Sequence, residues 1–216
     1  MKKAYPKTND GCILVGGGEI YPQDSEIAKN LGLEVICADG GVRNARGMGL
    51  SPSMVVGDLD SSGDLDLSGL DVVELADQNK NDFEKALETT AGGFVFCFGF
   101  WGKRLDHSLA SLSVLAKARD QNVILFTEEN ICFRVPSKLR LELQNGDPIA
   151  FYPMSPSTAK SQGLAYPLDG LELSPITQIS SSNHATGTVE LVKVQGDLLV
   201  ILPKEMLGIA LAGLAS

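Results

Sequence analysis

Short apolar runs recur along the first part of the chain, at Cys12 to Val15, Glu34 to Ala38, Met54 to Val56, Val72 to Leu75, Phe94 to Phe98 and Asn122 to Phe126. Runs of this length, bounded by Gly, Asp and Ser, predict buried strands. Between them lie segments with helical spacing, at Ser25 to Leu31, about Val42 to Met48, and from Asn81 onward. A further one follows Gly102, where Leu105, Leu109, Leu112 and Ala116 form an apolar stripe expected to be mostly core. Strand and helix alternating in this way predict an α/β domain with a mainly parallel, Rossmann-like sheet.

Near residue 130 the pattern changes. Ile131 to Val135, Leu139 to Leu143, Pro148 to Tyr152, Val189 to Val194 and Leu198 to Leu202 are all strand-like, with turns at Asn145-Gly146-Asp147 and Gln195-Gly196-Asp197. This spacing predicts a separate all-β sandwich, so the expected domains are 1–130 and 131–216. The apolar segment from Met206 to Ala215 fits a docked helix or a packed tail equally well.

With 216 residues and 44% hydrophobic content, the chain has enough apolar material for a real core. No stretch reaches the roughly 20 apolar residues that span a bilayer, and the start, Met1-Lys2-Lys3-Ala4-Tyr5-Pro6-Lys7, lacks the apolar region of a signal peptide. A cytoplasmic protein without membrane attachment is expected. The net charge of −9 argues against nucleic acid as a partner, because that binding needs a basic footprint. Cys12, Cys37, Cys97 and Cys132 lie in or beside apolar runs without Cys-x-x-Cys spacing, as buried free thiols of a reducing compartment would. His107 and His184 are the chain's two histidines, so any metal should be a hard ion held by oxygen, such as Mg²⁺.

The chemistry is concentrated where apolar runs stop. Glu34 to Ala38 runs into Asp39-Gly40-Gly41, Pro52 to Val56 into Gly57-Asp58-Leu59-Asp60, and Phe94 to Phe98 into a loop ending in Lys103-Arg104-Leu105-Asp106-His107. Ligands of open α/β sheets bind beyond the carboxyl ends of the strands, so these loops are expected to converge. In extended backbone Asp58 and Asp60 point the same way, roughly 7 Å apart. Asn81 reads as a helix N-cap with Glu84 three residues on, which makes Asp82 the first helical residue, a position favourable to a carboxylate by itself. Were Asp58, Asp60 and Asp82 to meet within about 5 Å, each ionised pair would repel by roughly 3 kcal/mol at an effective dielectric of about 20. A divalent cation would turn that repulsion into attraction, and a polyphosphate would complete its coordination.

The loop from Gly99 to His107 offers backbone N–H groups beside Lys103 and Arg104, a suitable anion site. If residues 104 to 107 are helical, Arg104 and Asp106 lie about 200° apart, so either Arg104 remains in the loop or the two serve different partners. His107 fits a base or a helix-entry histidine bonded to its neighbours. Phosphoryl or pyrophosphoryl transfer from a nucleotide is the leading class. An Asp-x-Asp phosphatase, a metal-dependent glycosyltransferase and a non-catalytic nucleotide or vitamin sensor are the rivals.

Asp39-Gly40-Gly41, Gly57-Asp58-Leu59-Asp60-Ser61, Asp77-Gln78 with Asp82-Phe83-Glu84-Lys85-Ala86, and Gly102 with Arg104-Leu105-Asp106-His107 resemble, in order and spacing, the motifs of the thiamine pyrophosphokinase family. Gly163-Leu164-Ala165-Tyr166-Pro167-Leu168 and Ser182-Asn183 resemble that family's C-terminal half. The resemblance implies an ATP- and Mg²⁺-binding α/β domain, a thiamine-binding β-sandwich, and a homodimer with active sites at the subunit interface. It implies transfer of diphosphate from ATP to the hydroxyethyl arm of thiamine, giving thiamine diphosphate and AMP. A pterin or other heterocyclic alcohol is the alternative acceptor.

Carried over by position, Asp58, Asp60 and Asp82 would hold Mg²⁺. Asp39, Gly40, Gly41, Gln78, Lys103, Arg104 and His107 would lie at the nucleotide, with Arg104 on the phosphates. Asp106 would orient substrate, and Ser182 with Asn183 would meet the pyrimidine of thiamine, from the partner subunit. The chain departs from the family pattern at Arg43 and Ser111, where Asn is frequent, at Asn81, where Thr is, and in the bulky Gly99-Phe100-Trp101-Gly102-Lys103 loop.

Overall fold

A computed structural model describes residues 11–58, 65–75, 77, 79–90 and 92–216. The chain divides into two compact units, one running through Val114 and including Val123–Glu128, the other made of Leu115–Asn122 and Glu129–Ser216.

The first unit contains strands β1 (Gly11–Val15), β2 (Glu34–Ala38), β3 (Met54–Gly57), β4 (Asp71–Glu74), β5 (Phe94–Phe98) and β6 (Asn122–Phe126). Its helices are α1 (Asp24–Leu31), α2 (Gly41–Gly47), α3 (Asp82–Glu88) and the start of α4 (Leu105–Lys117). The strand order is β6-β5-β1-β2-β3-β4. The pairs β5·β1, β1·β2, β2·β3 and β3·β4 are all parallel. Such strands are covered on both faces, which is why their residues read as continuous apolar runs and not as an alternation. All of β5 is buried, and Phe98 stacks on Phe126 of β6 with ring centroids 4.1 Å apart. Asn81 caps α3 as its sequence predicts, its side-chain oxygen accepting from Glu84 N at 2.9 Å.

The apolar stripe of α4 meets the core only toward its C-terminal end, where Leu112 is half-buried and Ala116 buried, and not at its start as expected. Leu105 is 73% and Leu109 54% exposed, whereas Ser108, Ser111, Val114 and Leu115 are buried. The serines can be buried because their hydroxyls bond main-chain groups of the preceding loop. Gly102 N donates to Ser108 Oγ, and Ser111 Oγ lies 2.7 Å from Phe100 O.

The second unit holds β7 (Asn130–Arg134), β8 (Lys138–Leu141), β9 (Pro148–Pro153), β10 (Thr158–Leu164), β11 (Ser180–Gln195) and β12 (Leu198–Pro203), then a 3₁₀ turn and α5 (Leu207–Leu214). The order is β10-β11-β9-β12-β7, with β8 also pairing with β11. The 16-residue β11 organises this unit, pairing antiparallel with β9 near Ser180 to His184 and with β8 at Val189 to Val192. Sequence pattern misses β10 and the first half of β11, because polar side chains dominate there and only Ala159 and Leu164 of β10 are buried. The apolar tail is a docked helix, not an irregular segment: α5 packs on β8, and a Cβ at Gly213 would come within 2.5 Å of Arg140 O. Among the described residues no helix is long and apolar enough to cross a membrane.

Candidate active site

The five parallel strands β1 to β5 of the first unit end at one edge, and the loops leaving β1, β2 and β5 meet there. Backbone bonds from Gly16 N to Phe98 O (2.8 Å) and from Gly18 N to Gly99 O (2.6 Å) tie the glycine loop after β1 to the loop after β5. Asn44 on α2 pins the same glycine loop from its other side, donating through Nδ2 to Gly16 O at 2.7 Å and Gly18 O at 3.0 Å. The first residue of α2 has to be glycine, since a Cβ on Gly41 would come within 2.0 Å of Val15 O. These contacts enclose a cleft of about 540 Å³ whose lining includes Gly17, Asp39, Gly40, Arg43, Asp82 and Lys103. That is an ordinary size for a small-molecule site.

The acids enter from β2, β3 and α3. Asp39 holds a positive φ of 43°, unusual for a residue other than glycine, and its N–H bonds Val56 O on β3 at 2.8 Å. This brings Asp39 over Gly57, where an added Cβ would lie 3.1 Å from the Asp39 Cβ. Asp58 follows directly. Lys85 of α3, only 3% exposed, sets its Nζ 3.9 Å from Asp58 Oδ2 and 3.6 Å from Asp82 Oδ1. Both carboxylates therefore point toward one ammonium group. Burial raises the pKa of Asp82; Lys85 works against that, while the nearby charges of Asp39 and Asp58 add to it.

The structure thus brings Asp39, Asp58 and Asp82 into one electrostatic neighbourhood. Asp60 and Gln78 lie outside the described residues. Among the described residues no group of three or more His, Cys, Asp or Glu side chains is arranged as a metal site. The donor set still suits a hard cation. It consists of carboxylate oxygens alone, and a positive charge already sits between two of them.

At the other side of the cleft, α4 begins at Leu105, so Arg104 is a loop residue. Released from the helix, its guanidinium turns back onto Asp106, with Nε 3.1 Å from Oδ1 and the terminal nitrogen 2.5 Å from Oδ2. That pairing pulls the Asp106 pKa down to about 2. Lys103 has a positive φ of 57° and donates from Nζ to Gly17 O at 3.1 Å. His107 and Ser111 complete this wall, and Phe100 stacks on Phe83 with centroids 4.1 Å apart.

Ser182 and Asn183 belong to β11 in the second unit. Ser182 is exposed, whereas Asn183 is 5% exposed and has its amide engaged within the unit. Its Nδ2 donates to Tyr166 O at 2.7 Å and to Ser180 Oγ at 3.2 Å, and its Oδ1 accepts from Tyr166 N and His184 N. Direct contact between Asn183 and a ligand would have to displace one of these bonds.

Sequence reasoning misses Lys85 and Asn44. A lysine inside an amphipathic helix carries no signal of burial, although its spacing of three from Asp82 marks the pair as neighbours. Asn44 is invisible without the loop that it clamps.

Fold and site together define a two-domain protein in which an α/β unit with an acidic, glycine-walled cleft precedes a β-rich unit. The family model for the catalytic domain of thiamin pyrophosphokinase matches residues 31–127, and the model for that enzyme's vitamin B1 binding domain matches residues 136–199. The chain belongs to the thiamin pyrophosphokinase family, and so to the kinase-type diphosphotransferases. Among solved structures it is similar to thiamine pyrophosphokinase from Bacillus subtilis, with 22% identity, a TM-score of 0.73, and coverage of 89% of this chain and 98% of that one. The Candida albicans enzyme gives 18% identity and a TM-score of 0.75 over 89% of each chain, and the yeast enzyme 14% and 0.73 over 93% of this chain and 88% of that one. These likenesses concern the fold. No curated protein matches the sequence.

Proposed function

We propose that the chain transfers the diphosphate group of ATP to the hydroxyethyl oxygen of thiamine, giving thiamine diphosphate and AMP. The observation that carries this reading is the ordered match of both family domains to a chain whose first unit gathers Asp39, Asp58 and Asp82 at one sheet edge. In the reaction the hydroxyl oxygen attacks the β-phosphorus, the bond from that phosphorus to the α,β-bridging oxygen breaks, and AMP leaves as the hydroxyl proton is lost. Mg²⁺ when bound would neutralise charge on the phosphate oxygens. Asp58 and Asp82, with Asp60 and Asp39 nearby in the chain's motif order, are the residues that would hold it.

The glycine loop and Gly40-Gly41 allow close approach of the phosphates, and Lys103 and Arg104 supply positive charge at their edge. Gln78 and His107 complete the nucleotide contacts. Asp106 holds the Arg104 guanidinium in place and orients substrate through it. Ser182 is the exposed hydroxyl for the pyrimidine, with Asn183 fixing the neighbouring Tyr166 segment. We read the active unit as a homodimer with thiamine at the subunit interface. We place the protein in the cytoplasm, a reading supported by four buried cysteines that form no disulfide.

The deciding experiment incubates purified protein with ATP, Mg²⁺ and thiamine and identifies the products by mass. Thiamine diphosphate and AMP in equal amounts are expected. Inorganic phosphate release, or tight binding without turnover, would overturn the assignment.

A further inference from the structure

Among the described residues three cationic side chains line the cleft, and two of them are engaged. Arg104 is held by Asp106 and Lys103 by the Gly17 carbonyl. The third, Arg43, is an exposed residue in the first turn of α2 and has no hydrogen-bond or ion-pair partner for its guanidinium among the described residues. Asp39 and Asp82 line the same cleft, yet neither pairs with it. An exposed arginine without a partner is ordinary on an open surface. Inside a cleft, with its neighbour Asn44 anchored to the carbonyls of Gly16 and Gly18, its backbone position is fixed and its planar fork is left for an incoming group.

The glycine loop beside it adds a second donor. Gly16 and Gly18 give their amides to Phe98 O and Gly99 O, while the amide of exposed Gly17 has no acceptor among the described residues. A guanidinium and a backbone N–H that line the same cleft, neither with a partner among the described residues, can recognise a tetrahedral oxyanion.

We infer that Arg43 is a phosphate-binding residue of this cleft, gripping a phosphate group of the nucleotide together with the Gly17 amide. The inference rests on the reading that the cleft takes ATP, and it adds the residue that discriminates phosphorylated from unphosphorylated nucleoside. Phosphate is favoured over a carboxylate ligand because its third terminal oxygen can take the Gly17 amide while two others meet the guanidinium fork, whereas a carboxylate has only two oxygens to offer.

The test measures binding of ATP, AMP, adenosine and inorganic pyrophosphate to the full chain by calorimetry, for wild type, Arg43→Gln and Arg43→Lys, with melting curves as a folding control. Arg43→Gln should weaken ATP and AMP by about tenfold, leave adenosine unchanged and flatten the salt dependence. Arg43→Lys should recover only part of the loss, since an ammonium lacks the fork. Equal losses for adenosine and AMP, or ATP binding unaltered in Arg43→Gln, would overturn the inference while leaving ATP as the ligand. Wild-type protein that binds pyrophosphate through Arg43 but does not bind ATP would uphold the anion site and overturn the nucleotide reading. Failure to bind either would end both.

Discussion

Lys85 Nζ stands 3.6 Å from Asp82 Oδ1, one helical turn back on α3, and 3.9 Å from Asp58 Oδ2 on a different element. The lysine side chain is 4% exposed, the two carboxylates 33% and 47%. A buried ammonium is stable there only because it is shared, and in turn it allows two acids to approach each other. Replacing Lys85 with Met keeps the packing and removes the charge. The variant should lose on the order of 1–2 kcal/mol of stability, less than for a fully buried pair because the carboxylates still reach water. Mg²⁺ should raise its Tm by more than it raises that of wild type, since the cation then supplies the missing positive charge. An equal shift in both proteins would contradict a metal role for these acids.

Asp58→Asn and Asp82→Asn test the same cluster from the opposite side. Each should lower turnover by at least about 100-fold at saturating ATP, the scale expected for removing a charge-stabilising group. Folding should change far less than turnover, because one carboxylate still faces the Lys85 ammonium in each variant and the repulsion between the acids is relieved. The raised pKa of Asp82 means that its ionised form weakens the folded state above the ordinary Asp range, and stability is gained as pH falls through the raised value. Neutralising Asp82 relieves this, while the loss of a carboxylate in the first helical turn offsets part of the gain. Thermal melts beside steady-state kinetics separate the two effects, and near-normal kcat in either variant would remove that residue from the site.

The pairing of Arg104 with Asp106 is readable by titration. The Asp106 carboxyl should titrate near pH 2, and in Arg104→Gln it should return toward the ordinary value of about 3.9. The depressed pKa means that the pair's contribution exists above the ordinary Asp range and is lost as pH falls from about 4 toward about 2. A carboxyl-detected NMR titration reads this directly. A midpoint near 4 in wild type would show that the pair does not persist in solution.

Asn44→Ala removes both bonds to the glycine loop and leaves two carbonyls without their donor. A loss of about 1–3 kcal/mol is expected in denaturant unfolding, together with weaker ATP binding. Asn44→Asp should be worse than Asn44→Ala, because it sets a carboxylate against the same two carbonyl oxygens. The reverse order would mean that Asn44 does not act through its amide.

Strand and helix positions in the first unit follow from residue type alone. Runs such as Phe94 to Phe98 can be buried on both faces only in a covered parallel sheet, and Gly and Asp end them where the chain must turn. Asn81 caps its helix through a bond three residues away, which is local information and so legible in the sequence. Which way α4 faces, by contrast, depended on hydroxyl bonds from Ser108 and Ser111 to a loop, and these outweighed the apolar stripe of Leu105 and Leu109. Polar β10 became a strand because β11 was there to pair with it.

The acids themselves, their order and the turns that carry them were determined by the sequence, because each strand's end is set by its own residues. The tertiary structure decided what stands between Asp58 and Asp82, which cation of the cleft has no partner among the described residues, and how Asn183 uses its amide. Those depend on distances between groups far apart in the chain, and electrostatic and hydrogen-bond energies follow distance in space, not separation in sequence.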